Sequence, residues 1–138
     1  MKVFFRLLSV VVLSGFCAVV SAESTPLKVL GRILNQNPSE APLYQISTWP
    51  TLPEEIPVDT FTPYIITLKD KYTVVEYLYD KTANDSSRGC YFIFDYDASR
   101  KNAPLEIRTT VMPQGSKKVL CTTGSLEGEE YLLITVTS

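Results

Sequence analysis

The chain has 138 residues, 45% hydrophobic and 20% charged, with 13 Lys+Arg against 15 Asp+Glu and no histidine. That length suits one ordinary domain, and so even a charge balance supplies neither a basic nucleic-acid arm nor an acidic solubilising tail. The missing histidine excludes a Ser-His-Asp or Cys-His nucleophile, a histidine metal ligand, and an imidazole acid or base working near neutral pH.

Residues 1–22 read as a secretory signal peptide rather than as fold. Lys2 and Arg6 make a positive start, Leu7 to Val20 is apolar but for Ser9, Ser14 and Gly15, and Val20-Ser21-Ala22 puts small residues at a cleavage point after Ala22. The apolar stretch is too short to span a bilayer comfortably, and no second long one follows, so no membrane span is expected. Cys17 follows Phe16, a bulky ring where lipoprotein processing needs a small residue, and reads as one more apolar residue of the leader. The expected address is secreted or periplasmic.

Without the leader, the 13 basic side chains fall to 11 against 15 acidic ones, for a net charge of −4. Two cysteines remain, Cys90 and Cys121. An even count in an exported chain predicts one disulfide, and 31 residues is not the spacing of a redox Cys-x-x-Cys pair.

Residues 23–60 read as a proline-rich arm that packs on or leads into the domain. Thr25-Pro26 followed by Leu27, Leu30, Ile33 and Leu34 fits a short capped helix, while the alternation of Leu27, Val29, Gly31 and Ile33 fits a strand equally well. The five prolines between Asn35 and Asp59 break any regular period, yet Leu43, Tyr44, Ile46, Trp49 and Leu52 give that stretch apolar groups to bury.

Residues 61–138 read as a β-domain. Six runs with β character follow one another: 62–68, 72–79, 90–96, 105–112, 117–122 and 130–137. No connector suits a crossover helix, so the strands should be mainly antiparallel. Alternation turns Leu132, Ile134 and Val136 to one face, and sets Cys90 with Phe92 and Phe94, and Cys121 with Val119, facing inward. The expected fold is all-β: a small antiparallel β-sandwich or partly open barrel of about six strands, clamped by one disulfide.

Candidate chemistry is sparse. Asp95, Asp97, Ser99 and Glu106 have the oxygen spacing of a calcium loop, but Arg100 stands where glycine makes the turn and the flanks read as strands. Asn84-Asp85-Ser86 is a sequon for N-glycosylation in a eukaryotic secretory pathway. No motif pairs two carboxylates for acid–base work, and Ser116 and Lys117, adjacent on a strand, point to opposite faces. There is no phosphate loop, and the basic clusters Arg100-Lys101 and Lys117-Lys118 are too few for nucleic acid in an acidic domain. No enzyme, metal or cofactor is therefore expected.

The aromatics carry the functional expectation. Trp49, Tyr77, Tyr79 and Tyr91 are the candidate binding residues, because tyrosine and tryptophan present a flat apolar body with a polar tip. If Phe92 and Phe94 face inward, Tyr91 and Ile93 face out, for the Trp49 arm or a partner to cover. The sequence thus predicts a secreted, non-enzymatic β-domain that binds another macromolecule, most simply a protein, in an effector, inhibitor or immunity-type role. The alternatives are a carbohydrate-binding module using surface Tyr and Trp, or a structural assembly subunit.

Overall fold

The structure is a computed structural model that describes residues 25–69 and 71–137; the expected signal peptide lies outside the described residues. They form nine strands and no helix: β1 (Leu27–Gln36), β2 (Leu43–Gln45), β3 (Glu55–Ile56), β4 (Thr62–Leu68), β5 (Tyr72–Leu78), β6 (Gly89–Tyr96), β7 (Leu105–Met112), β8 (Val119–Leu126) and β9 (Glu129–Val136). A four-stranded sheet runs β4-β1-β9-β8 and a five-stranded sheet runs β3-β2-β5-β6-β7. The all-β sandwich expected from the pattern is the fold adopted, with three more strands than the six expected, all from the region before residue 60.

At residues 27–36 the strand reading holds and the capped helix does not form. Val29, Gly31 and Ile33 turn inward while Lys28, Leu30 and Arg32 turn outward, and β1 is hydrogen-bonded on both sides, to β4 and to β9. Two neighbours saturating the backbone outweigh a helical stripe that would have needed its own partner surface. The β1–β9 ladder, Gly31↔Glu130 to Gln36↔Thr135, is parallel, the exception to the antiparallel rule elsewhere in both sheets. Gly31 is required there. A Cβ would lie 1.9 Å from the Glu130 carbonyl oxygen and 2.6 Å from the Tyr64 ring, whose hydroxyl donates to that same carbonyl at 2.9 Å.

Inside, the side chains predicted by alternation meet: Ile33, Ile66, Phe92, Phe94, Leu132 and Ile134 are all buried in one core. Leu43, Leu52 and Ile56 of the proline-rich stretch join it. Asn35, fully buried, ties the sheets together polar group by polar group. Its Nδ2 donates to the Ala41 and Ile56 carbonyls at 2.9 and 3.2 Å, and its Oδ1 accepts from the Tyr79 hydroxyl at 2.7 Å. The disulfide Cys90–Cys121 joins β6 to β8 across the sandwich, with a Cα–Cα distance of 6.0 Å.

Candidate binding face of the five-stranded sheet

The outward face of β5, β6 and β7 is assembled by register: Val74 lies beside Ile93 and Arg108, and Glu76 beside Tyr91 and Thr110. β2 covers only the upper part of β5, because Gln45 is its last residue. Below it, the Ile46 amide donates to the Glu76 carbonyl at 2.9 Å, and the Trp49 indole nitrogen donates to the Val74 carbonyl at 2.8 Å. A main-chain amide and an indole N–H thus close an edge that would otherwise present free acceptors to other chains.

Gln45 organises the loop that delivers Trp49. Its Oε1 accepts from the Trp49 amide and from Ser47 Oγ, and its Nε2 donates to the carbonyls of Trp49, Leu52 and Pro53 at 3.2–3.3 Å. Thr48 takes a positive φ of 61° to make the turn. The indole is therefore fixed at both ends while remaining 37% exposed. Beside it on the same edge are Val74, also exposed, and Tyr72, 51% exposed, whose ring carries Lys71 Nζ at 5.4 Å and the Arg108 guanidinium at 5.8 Å.

The other aromatic candidates separate. Tyr91 lies on this outward face, half-buried; burial, then the neighbouring Glu76, raise its hydroxyl above the ordinary tyrosine range. Tyr77 does not lie at the surface. It is fully buried, its hydroxyl donates to the Pro53 carbonyl at 2.6 Å, and burial lifts its pKa well above 10. Odd parity with Val75 puts it in the core, so its work is packing. Tyr79 is half-buried and committed to Asn35; burial pushes its pKa up to about 12 against the opposing pull of Arg88. The proline-rich arm extends the sheet alongside β5 and leaves Tyr91 uncovered; the wall beside Tyr91 is built by Ala83, Asn84 and Asp85 together with Pro113 and Gln114, enclosing about 350 Å³. Asn84 is exposed there, its Oδ1 accepting from the Ser86 amide and hydroxyl at 2.9 and 2.7 Å.

A second hollow of about 500 Å³ opens on the far side of Trp49, lined by Tyr44, Thr48, Pro50, Glu54, Glu55 and Lys81 among others. Sequence parity gave no hint of it, because it depends on where an irregular loop folds back.

The calcium spacing of Asp95, Asp97, Ser99 and Glu106 is used differently. Arg100 occupies the centre: its Nη2 donates to the Asp95 and Pro104 carbonyls at 2.8 and 3.1 Å, and its guanidinium pairs with the Asp95 and Glu106 carboxylates at 3.3 and 3.5 Å. A guanidinium already neutralises the charge that a cation would need. Asp97 turns to Ser99, whose hydroxyl and amide donate to its Oδ1 and hold its pKa below the usual carboxylate value. Among the described residues no group of three or more His, Cys, Asp or Glu side chains is arranged to hold a metal ion.

The expected residues also missed an apolar surface on the opposite side of the molecule. Leu30, Phe61, Ile65, Leu120 and Leu126 are all exposed on or beside the outer face of the four-stranded sheet. The signal was present in the sequence, since Leu30, Leu120 and Leu133 sit on the parity opposite to the core residues of their own strands, but a strand apolar on both faces reads as simply buried.

No protein-family model matches the chain, and no curated protein or solved structure matches it.

Proposed function

We propose that the protein is exported and acts without catalysis, by binding another protein through the Trp49 edge and the outward face of the five-stranded sheet. An effector, an inhibitor or an immunity-type protein are the roles that suit such a module. The observation that carries the reading is the fixed, part-exposed Trp49 indole beside exposed Val74 and Tyr72. Energetic hot spots in protein interfaces are rigid aromatics that lose little side-chain entropy on binding, with Arg close by; here Arg108 is next to Tyr72. Export is supported by the N-terminal pattern of residues 1–22 and by a disulfide, which persists in oxidising compartments.

Affinity capture from the compartment the protein enters tests this. The wild-type chain should retain one partner in stoichiometric amount, and Trp49→Ala should lose it while keeping the wild-type circular dichroism spectrum. Equal recovery by both proteins would sink the reading.

A carbohydrate ligand is the second reading. The hollow beside Trp49 favours it, because an indole and a tyrosine ring next to Glu54 and Glu55 combine stacking surfaces with hydrogen-bond acceptors. Glycan-array binding that Tyr44→Ala removes would decide for the sugar; an array without hits would eliminate it.

A further inference from the structure

The hollow of about 500 Å³ on the far side of Trp49 sets aromatic rings beside carboxylates that have no cation. Tyr44 and Glu55 stand opposite one another on the β2–β3 ladder, so ring and carboxylate share one face of the sheet. Glu54 lines the same hollow. Among the described residues neither glutamate makes an ion pair. The pairs that form are Arg32–Glu129, Arg100–Asp95 and Arg100–Glu106, all elsewhere.

Three tyrosines on or beside the five-stranded sheet already hold a cation of their own chain. Lys81 Nζ stands 5.3 Å from the Tyr44 ring, Arg88 lies 5.9 Å from that of Tyr79, and Tyr72 carries both Lys71 and Arg108. Indole attracts cations more strongly than a phenol ring does. Yet among the described residues no cation lies over Trp49, although Gln45 and the Val74 carbonyl fix its indole in place. The strongest cation acceptor and two unpaired carboxylates therefore meet in one hollow, with the cation missing.

We infer that the partner supplies it: an arginine side chain of the bound protein enters this hollow, its guanidinium against the indole and its N–H groups donating to Glu54 and Glu55. Such a partner presupposes the Trp49 binding edge proposed above and adds its chemistry, a basic contact surface. Arginine fits better than lysine, because a planar guanidinium stacks on a ring while its fork reaches a carboxylate, whereas an ammonium is a strongly hydrated point charge. Charge at longer range agrees. Beyond residue 22 the chain carries 11 basic against 15 acidic side chains, an excess that draws a basic partner. Lys81 works against the guest, since its ammonium lines the same hollow.

The emission of Trp49, the chain's one tryptophan, reads the hollow directly. It is titrated at constant ionic strength with acetyl-arginine amide, with acetyl-citrulline amide as the uncharged counterpart of the same shape, and with methyl glucoside. Arginine should give a saturable change with a Kd on the order of 10 mM, and citrulline should bind about tenfold more weakly. Glu54→Gln and Glu55→Gln in one chain should weaken arginine about tenfold at an unchanged circular dichroism spectrum. Lys81→Ala should tighten it about threefold, a gain that a damaged fold could not produce. No saturable response to arginine, an equal response to citrulline, or indifference to the paired glutamate substitution overturns the inference. Saturation by methyl glucoside alone assigns the hollow to a sugar and overturns it too. Capture of the partner separates this from the underlying reading. A Trp49-dependent partner retained equally by the doubly substituted chain removes the arginine contact and leaves the Trp49 edge standing, whereas absence of any Trp49-dependent partner removes the edge itself.

Discussion

Gln45 shows how much a single side chain can decide. One primary amide makes five hydrogen bonds into a loop of two prolines and a positive-φ threonine, and so converts an aperiodic stretch into a fixed support for Trp49. Gln45→Ala leaves the Leu52 carbonyl and the Trp49 amide without their partner, while the Trp49 and Pro53 carbonyls keep the Leu52 amide and the Tyr77 hydroxyl, and should cost about 1–3 kcal/mol. Because Trp49 is the chain's one tryptophan, its fluorescence reports the loop directly: the variant's emission should move to longer wavelength and acrylamide should quench it more strongly. Unchanged quenching would show that Val74 alone holds the indole. None of this was legible in the sequence, where Gln45 is one polar residue in an irregular segment. Trp49 itself was legible as a candidate, since its residue type carries its chemistry. Tyr77 was misjudged for a related reason: composition named it as a binding aromatic, whereas its parity with Val75 already put it inside.

At the scale of elements, sequence legibility follows periodicity. The strands 62–68 and 105–112 have the boundaries their alternation predicts, and the inward sets around Cys90, Cys121 and Leu132 come from parity alone. β1 was ambiguous because Leu27, Leu30 and Leu34 satisfy a helical stripe while Val29, Gly31 and Ile33 satisfy a strand; the choice lies in the neighbouring strands, which no local window contains. β2 and β3, of three and two residues, carry too little pattern to be seen. Two substitutions test these elements. Gly31→Ala drives a methyl into the Glu130 carbonyl and the Tyr64 ring, so β1 and β9 must separate; a loss of about 3 kcal/mol or more is expected, read as a lower urea midpoint. A midpoint within error of wild type would mean that the parallel ladder is not as close as described. Cys121→Ala opens a loop of 31 residues whose closure is worth roughly 3–4 kcal/mol in the chain-entropy model, and urea titration of oxidised, reduced and substituted protein should give that difference twice.

For the whole molecule, buried tyrosines tie stability to alkaline pH. Burial raises the hydroxyl pKa of Tyr64 and Tyr77 well above the ordinary value, and that of Tyr79 to about 12. In the unfolded chain these hydroxyls ionise near pH 10, so above that pH the unfolded state binds fewer protons than the folded one and stability falls as pH rises. The contribution is fully present below about pH 10 and is lost progressively through about pH 12. Melting temperature against pH should bend downward from about pH 10, and Tyr77→Phe, which keeps the ring and drops the ionisable group, should flatten the descent. A descent as steep in that variant would assign the alkaline loss elsewhere.

The proposed function turns the Trp49 edge of the sandwich toward another protein. Placing a photo-crosslinking phenylalanine analogue at Tyr72, on the Trp49 side, measures that assignment directly. Irradiated in the compartment where the protein resides, it should yield a single adduct with a different protein, and Trp49→Ala in the same chain should abolish that adduct. Recovery of the uncrosslinked chain alone, or of an adduct indifferent to Trp49→Ala, would contradict it.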